Sequence, residues 1–415
     1  MHTNLSPEFK GTRDGEEAEA ILRKCVHCGF CNATCPTYQL LGDELDGPRG
    51  RIYLMKQVLE GAEVTRSTQL HLDRCLTCRN CETTCPSGVE YGKLVDIGRK
   101  LVDERVERPL GERLLRTALK EGLTSPLFAP AIRMGQIVRP LLPKALQNKV
   151  PPPAPARAKQ WPQRQHVRKV LMLAGCVQPS MMPNINSATA RVLDAAGIQT
   201  VVAPNAGCCG ALRTHLTDHD GGLADMRRNI DAWWPFVESG AVEAIVMNAS
   251  GCGVTVKEYG HALAHDPTYA EKAERIGMLT RDLSQLLPEL VPALKDKIRR
   301  NGVGPLVFHP PCTLQHGQQL RGGVETHLSA LGFDINVART ESHLCCGSAG
   351  TYSVLQPELA SQLRDRKLGH LAVLQPECIV SANIGCIQHL QSGTDTPVRH
   401  WIEVLDDALF ADLAT

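Results

Sequence analysis

The stretch "CVHCGFCNATCP" (Cys25–Pro36) returns fifty residues later as "CLTCRNCETTCP" (Cys75–Pro86). Each packs four cysteines into eleven residues and sets a proline directly after the last. The spacing Cys-x2-Cys-x2-Cys-x3-Cys-Pro is that of ferredoxins carrying [4Fe–4S] clusters. Three thiolates on one tight loop reach three irons of one cube, and the fourth has passed the cube and points to the neighbouring one. On this logic Cys25, Cys28, Cys31 and Cys85 hold a first cluster, and Cys75, Cys78, Cys81 and Cys35 hold a second. Each run then completes the site of the other. A zinc ribbon takes one Cys-x2-Cys knuckle from each segment, half of what these runs offer.

Around this centre the chain reads as a set of domains. Its 415 residues allow two to four cores, and 45 basic against 44 acidic side chains give no electrostatic case for nucleic acid. The polar start "MHTNLSPEFKGTRDGEEAEA" lacks the apolar segment of a secretory signal, and no apolar run approaches membrane-spanning length. The expectation is a cytoplasmic chain, in which 17 cysteines serve ligation rather than disulfides. Between the runs, "GPRGRIYLMKQVLEG" predicts a helix opened by Pro48 and stopped by Gly61, with Ile52, Met55, Val58 and Leu59 on its buried stripe. A further helix is predicted from Tyr91 to Pro109. His27 has Thr77 as its counterpart and reads as a bystander. Arg49, Arg51 and Arg79 read equally as surface residues or as charges that offset the clusters.

Residues 110 to about 150 read as helical or irregular, broken by Pro126, Pro130, Pro140 and Pro143. Packing on the chain's own domain is the expectation there. Arginines among apolar residues also allow a surface for a membrane or partner. "VPPPAPARAKQWPQR" reads as an extended linker and a boundary.

Beyond the linker lies a second repeat, of about 136 residues. "KVLMLAGC" ending at Cys176 matches "GPLVFHPPC" ending at Cys312. "AGCCG" at Cys208–Cys209 matches "HLCCG" at Cys345–Cys346, and "EAIVMNASGC" ending at Cys252 matches "ECIVSANIGC" ending at Cys386. Each half has an apolar strand feeding a cysteine, a helix, a Cys-Cys-Gly turn, a helix and a second strand feeding a cysteine. That alternation predicts two duplicated α/β units whose thiols meet at the carboxyl ends of strands. The fold class is thus α+β and multidomain. A helical two-cluster domain (15–105) and a helical extension with its linker (106–165) precede two Cys-Cys-Gly domains (166–300 and 301–410). Cys176, Cys208, Cys209 and Cys252 form one four-thiol set, and Cys312, Cys345, Cys346 and Cys386 another. A further iron–sulfur cluster, zinc, a redox-active thiol pair and a structural relic all remain open for them. Cys378, opposite Ala244 in the repeat, reads as a small buried thiol on a strand.

Two ferredoxin runs, the intervening "GPRGRIYLMKQVLEG" and two Cys-Cys-Gly repeats together resemble the iron–sulfur subunits of bacterial glycolate oxidases, over residues 20 to about 400. The wider family takes in lactate-utilisation proteins and the iron–sulfur subunits of glycerol-3-phosphate dehydrogenase and heterodisulfide reductase. The last close each repeat with Cys-x2-Cys. Here Ala249 and Thr255 flank Cys252 at that spacing, and Asn383 and His389 flank Cys386, so no fifth thiol is present. The resemblance implies an oxidoreductase complex in which flavin-binding subunits oxidise glycolate to glyoxylate. This chain would relay the electrons towards a quinone-type acceptor, with peripheral attachment to the inner membrane through the complex. The residues themselves support the relay: no dinucleotide-binding turn, nucleophile elbow or flavin motif is found. A lactate or glycerol-3-phosphate counterpart, a thiol or quinone reductase, and an iron–sulfur sensor are the rival readings.

Overall fold

The computed structural model describes residues 1–141, 143, 158–299 and 304–410. The first part of the chain is entirely helical among the described residues. The helices Arg13–Lys24, Pro48–Leu59, Arg66–Asp73 and Tyr91–Asp103 enclose an apolar core. Pro48 opens its helix as predicted, Gly61 follows in the left-handed region at φ +88°, and Ile52, Met55, Val58 and Leu59 are buried. Proline suits the first helical turn, where no N–H partner is needed. The last of these helices stops at Asp103 rather than reaching Pro109. Asp103 instead binds Arg108, which also pairs with Asp73, and these charges hold the turn into the next helix.

That next segment corrects an expectation. The helices Leu110–Thr124 and Phe128–Val138 form a hairpin in which no residue is buried. Pro130 lies in the first turn of the second helix and does not break it. Polar contacts tie the hairpin down: Arg116 to Asp73, Arg213 to Glu121 and Lys120 to Asp218. Leu110, Leu114, Leu127, Met134, Ile137 and Leu141 are left facing outward, each more than half exposed. Most of the proline-rich linker falls outside the described residues, and the part from 158 to 166 has no regular structure.

Two four-stranded parallel sheets follow. In the first, β1 (Arg168–Met172), β2 (Ile198–Val201), β3 (Ala244–Met247) and β4 (Thr280–Asp282) lie in the order β2-β1-β3-β4. In the second, β5 (Leu306–Phe308), β6 (Ile335–Val337), β7 (Cys378–Ser381) and β8 (Val398–His400) repeat that order. Val170 pairs with Ala244, and Leu306 with Cys378, so Cys378 stands where the repeat placed it, buried in a central strand. The sequence announced only the central strands. The flanking ones are three or four residues long and carry polar residues such as Gln199, Arg281 and Asn336. A buried joint unites the two units. Helix Trp401–Phe410 of the second packs on helix Pro183–Ala195 of the first, where Arg191 binds Asp406 at 2.5 Å and Asn184 binds Glu403 at 2.8 Å.

Candidate functional site

The two ferredoxin runs adopt one backbone twice. His27 and Thr77 both take positive φ (60° and 51°), as do Gly29 and Arg79 two residues on. Each run thereby turns back on itself between its first and third cysteines, and a short helix follows, Phe30–Ala33 or Asn80–Thr84. Asn80 of the second run donates to the carbonyl of Thr34 in the first at 3.0 Å, so the runs face each other.

The thiols sort across the runs. Cys31 is pushed up to about 11 by burial, and then by the charges of Cys25, Cys85 and Cys28. Cys25, Cys28, Cys31 and Cys85 line one pocket, with Cys81 also on its wall. On the other side Cys81 is raised by burial and by Cys78, Cys75 and Cys35, and Cys78 by burial, Cys312, Cys35 and Cys75. Cys85 has thus crossed to the first run and Cys35 to the second. Four thiols crowded in a buried space resist ionisation on their own, because each thiolate repels the next. A cationic iron core removes that conflict, and four thiolates are what a [4Fe–4S] cube takes. The donor set fits the group.

The surroundings of the two sites differ. Arg51 is wholly buried, which excludes the surface reading. Its guanidinium donates to the carbonyl of His71 at 2.7 Å and to Thr37 Oγ1 at 3.1 Å, and Thr37 Oγ1 lies 3.3 Å from Cys35 Sγ. Burial works against its charge, but Tyr91, Cys75, Cys35 and Asp46 hold the proton on. Buried Asp46 also accepts from Arg74 at 2.9 Å and faces His71 at 3.1 Å. Tyr91 donates to Cys75 Sγ at 3.7 Å, and Arg99 grips the carbonyls of Leu72 and Cys75. The second-run site therefore sits in a buried, hydrogen-bonded and cationic shell. The first-run site is open: Cys28 is exposed, with Val26 69% and Phe30 62% exposed beside it. Arg49 pairs with Glu44 and Arg79 with Glu82 and Glu258, so neither is an unpaired surface charge. His27 is exposed, as a bystander would be.

In both cysteine-rich units the thiols gather beyond the strand ends. Cys176 and Cys312 lie four residues past β1 and β5, and Cys252 and Cys386 five past β3 and β7. Gly210 and Gly347 make the Cys-Cys-Gly turns at φ +96° and +91°. A Cβ there would meet the carbonyl of Gly222 at 2.8 Å or of Ala360 at 2.5 Å, so the turn is pressed against the following helix. In the first unit Cys208 is held low by hydrogen bonds from Cys176 and Cys209, and Cys209 is raised by Cys208 and Cys252. In the second, Cys312 and Cys345 sulfurs are 3.8 Å apart, and Cys346 interacts with both Cys345 and Cys386.

The two sets differ in what adjoins them. Cys312, Cys345 and Tyr352 share an apolar cluster with Leu76, against which Cys78 packs. Thr83 Oγ1 meets His316 Nδ1 at 2.9 Å, and Tyr352 Oη donates to the carbonyl of Arg74 at 3.2 Å. The second unit's thiols thus lie directly against the second ferredoxin run. Sequence reasoning missed Tyr91, Arg99 and Asp46, whose types occur everywhere on helices.

Paired ferredoxin-type thiol sites, followed by two parallel α/β units with their own thiol sets, define a multicentre iron–sulfur redox protein. Residues 21–89 match the model of the 4Fe-4S dicluster domain, and residues 170–257 and 306–391 match that of the cysteine-rich domain. The chain is 56% identical over 410 residues to the glycolate oxidase iron-sulfur subunit of Escherichia coli (strain K12), covering 99% of each. It is 32% identical to the probable glycolate oxidase iron-sulfur subunit of Bacillus subtilis (strain 168), covering 94% of this chain and 92% of that one. Lactate utilization protein A of Geobacillus thermodenitrificans (strain NG80-2) is 26% identical over 57% of this chain and 98% of its own length. The chain belongs to the family of glycolate oxidase iron–sulfur subunits, components of an oxidoreductase whose iron–sulfur clusters transfer electrons.

Proposed function

We propose that this chain is the electron relay between a flavin-bearing subunit that oxidises glycolate to glyoxylate and a quinone-type acceptor. Cys25, Cys28, Cys31 and Cys85 ligate one [4Fe–4S] cluster, and Cys75, Cys78, Cys81 and Cys35 the other, in a domain spanning residues 15–105. The extension (106–165) and the two cysteine-rich domains (166–300 and 301–410) complete the division of the chain. Glycolate gives up two electrons and two protons in becoming glyoxylate, and a quinone takes up the same on reduction. Between them a [4Fe–4S] cluster passes one electron at a time. The observation that carries the reading is the contact of Cys78 and Leu76 with Cys312 and Cys345. It supports a relay in which the second unit's thiols adjoin the second-run site, which in turn adjoins the first-run site with exposed Cys28. The guanidinium groups of Arg51 and Arg99 offset the charge of the second-run site, and Tyr91 donates a hydrogen bond to Cys75 Sγ.

Attachment to a membrane surface is read from the hairpin. Its second helix and the turn after it, residues 128–141, carry Arg133 and Arg139 with no acidic residue, beside exposed Met134, Ile137 and Leu141. Apolar and basic side chains on one exposed helix match an anionic lipid surface. No helix among the described residues is long and apolar enough to cross a membrane. The test of the relay is rapid mixing of glycolate with the assembled complex. Flavin reduction followed by cluster bleaching and quinone reduction supports it. Quinone reduction at an unchanged rate in a Cys75→Ser complex would refute it.

A further inference from the structure

His309 follows β5 directly, three residues before Cys312, and is 1% exposed. Its backbone is fixed: the N–H donates to the carbonyl of Val380 at 2.8 Å, and its own carbonyl accepts from Ser381 Oγ at 2.9 Å. Its ring is not. Neither Nδ1 nor Nε2 has a hydrogen-bond partner among the described residues. A neutral imidazole offers one donor and one acceptor, and burying both unused is costly unless something else takes them. One ring nitrogen lies within 4.8 Å of both Cys346 Sγ and Cys386 Sγ, and those sulfurs are as close to each other.

The first unit lacks this feature at the same place. Three residues before Cys176 stands Leu173, buried in an apolar core. A second difference accompanies it. Measured from the helix carbonyl that abuts each Cys-Cys-Gly turn, Lys367 lies seven residues beyond Ala360, and Asn229 seven beyond Gly222. Lys367 is 2% exposed, donates to the carbonyl of Glu341, and faces the charges of Cys346, Cys345 and Cys312. A buried ammonium beside three thiols has a purpose where those thiols are ionised by a metal. The donors also outnumber a single ion's needs. His309, Cys346 and Cys386 gather within 4.8 Å of one another, and Cys345 and Cys312 extend the set to five donors, where tetrahedral zinc takes four.

We propose that the second cysteine-rich unit holds an iron–sulfur cluster to which His309 contributes one ligand, a ring nitrogen, and thiolates drawn from the set of Cys312, Cys345, Cys346 and Cys386 contribute the others. This rests on the relay reading, in which the set beside Cys78 is a station. A neutral imidazole in place of a thiolate leaves the cluster less anionic and raises its potential. His309 therefore makes this centre the better electron acceptor of the adjoining pair, while in the first unit Leu173 and Asn229 stand at the places of His309 and Lys367.

The test uses the full chain purified anaerobically, with histidine labelled by ¹⁵N and unlabelled protein as control. Iron and zinc are counted, and pulsed EPR is recorded over stepped reduction. The expected result is about twelve irons, four per cluster, and a third paramagnetic centre with strong coupling to one nitrogen that changes on labelling. His309→Cys should keep the iron, abolish that coupling and lower the midpoint potential of the third centre. Unaltered signals from the two ferredoxin-type clusters certify the fold of that variant, and the unmutated protein decides the coupling by itself. A third iron–sulfur centre without nitrogen coupling overturns His309 as ligand and leaves the relay standing. About eight irons, or stoichiometric zinc, overturns the third cluster itself. Failure of glycolate-driven quinone reduction is read separately, in the assembled complex.

Discussion

At the scale of single residues, Arg51 decides how the two ferredoxin-type sites differ. It is a buried guanidinium one hydroxyl away from Cys35 and within the field of Cys75. Adding an electron to a cluster adds negative charge, which a nearby buried cation favours because little water screens it. Arg51→Met should lower the midpoint potential of the second-run cluster by tens of millivolts, on a scale where a tenfold change in a one-electron equilibrium is about 59 mV. EPR-monitored redox titration checks this, with the first-run cluster as internal control, and a shift in that cluster instead would reverse the assignment. Cys35 gives the companion test. If it has crossed to the second run, Cys35→Ser disturbs the second-run EPR signal and leaves the first intact. The cysteines were legible because their spacing is itself the chemistry. Arg51 was not, since one arginine in a helix reads alike whether it faces water or a cluster, and only the packing of Thr37, Asp46 and His71 separates the two.

At the scale of elements, the hairpin of residues 110–141 is where expectation and structure part. Prolines and arginines in a mixed segment predicted irregular helix packed at home, yet no residue of the two described helices is fully buried: the second rests on the short helix Gln178–Met181, and ion pairs hold the first. The amphipathic pattern was visible, but a pattern states which face is apolar and not what covers it. Met134 and Ile137 are 68% and 76% exposed. Each side chain moved from water into lipid contributes about 1.5–3 kcal/mol. The double substitution Met134→Glu with Ile137→Glu should weaken binding of the complex to anionic vesicles at least tenfold in a sedimentation assay, with glycolate oxidation by a soluble dye unchanged. Equal sedimentation of both proteins would rule out a lipid-facing hairpin. The strands tell a related story. β1, β3, β5 and β7 announced themselves as apolar runs because both faces are covered, while β2, β4, β6 and β8 are short, mixed in polarity and set by their neighbours.

At the scale of the whole molecule, duplication built two near-equal units and position made them unequal. Among the described residues, the second lays its thiols against a ferredoxin run, through Leu76, Thr83 and Tyr352, while the first meets that run through the ion pair of Glu258 with Arg79. The repeat was plain in the sequence, but nothing in it tells which copy sets its thiols against the other domain. This arrangement also determines what the chain does alone. Oxidising glycolate removes two electrons and two protons, one hydrogen leaving carbon and one leaving its hydroxyl, a step that a flavin accommodates and a one-electron cluster does not. The pocket at the first run is lined by thiols and apolar residues such as Val26, Phe30, Ile52 and Val89, and its arginine, Arg49, is already paired with Glu44. The purified, cluster-loaded chain mixed with glycolate and an artificial dye should therefore give no turnover, and adding the flavin-bearing subunit should restore it. With Cys25→Ser in the complex, flavin reduction should persist while electron delivery to quinone falls by at least tenfold. Steady dye reduction by the flavin-free chain would show that it oxidises the substrate itself, and the relay would then be the wrong description of this molecule.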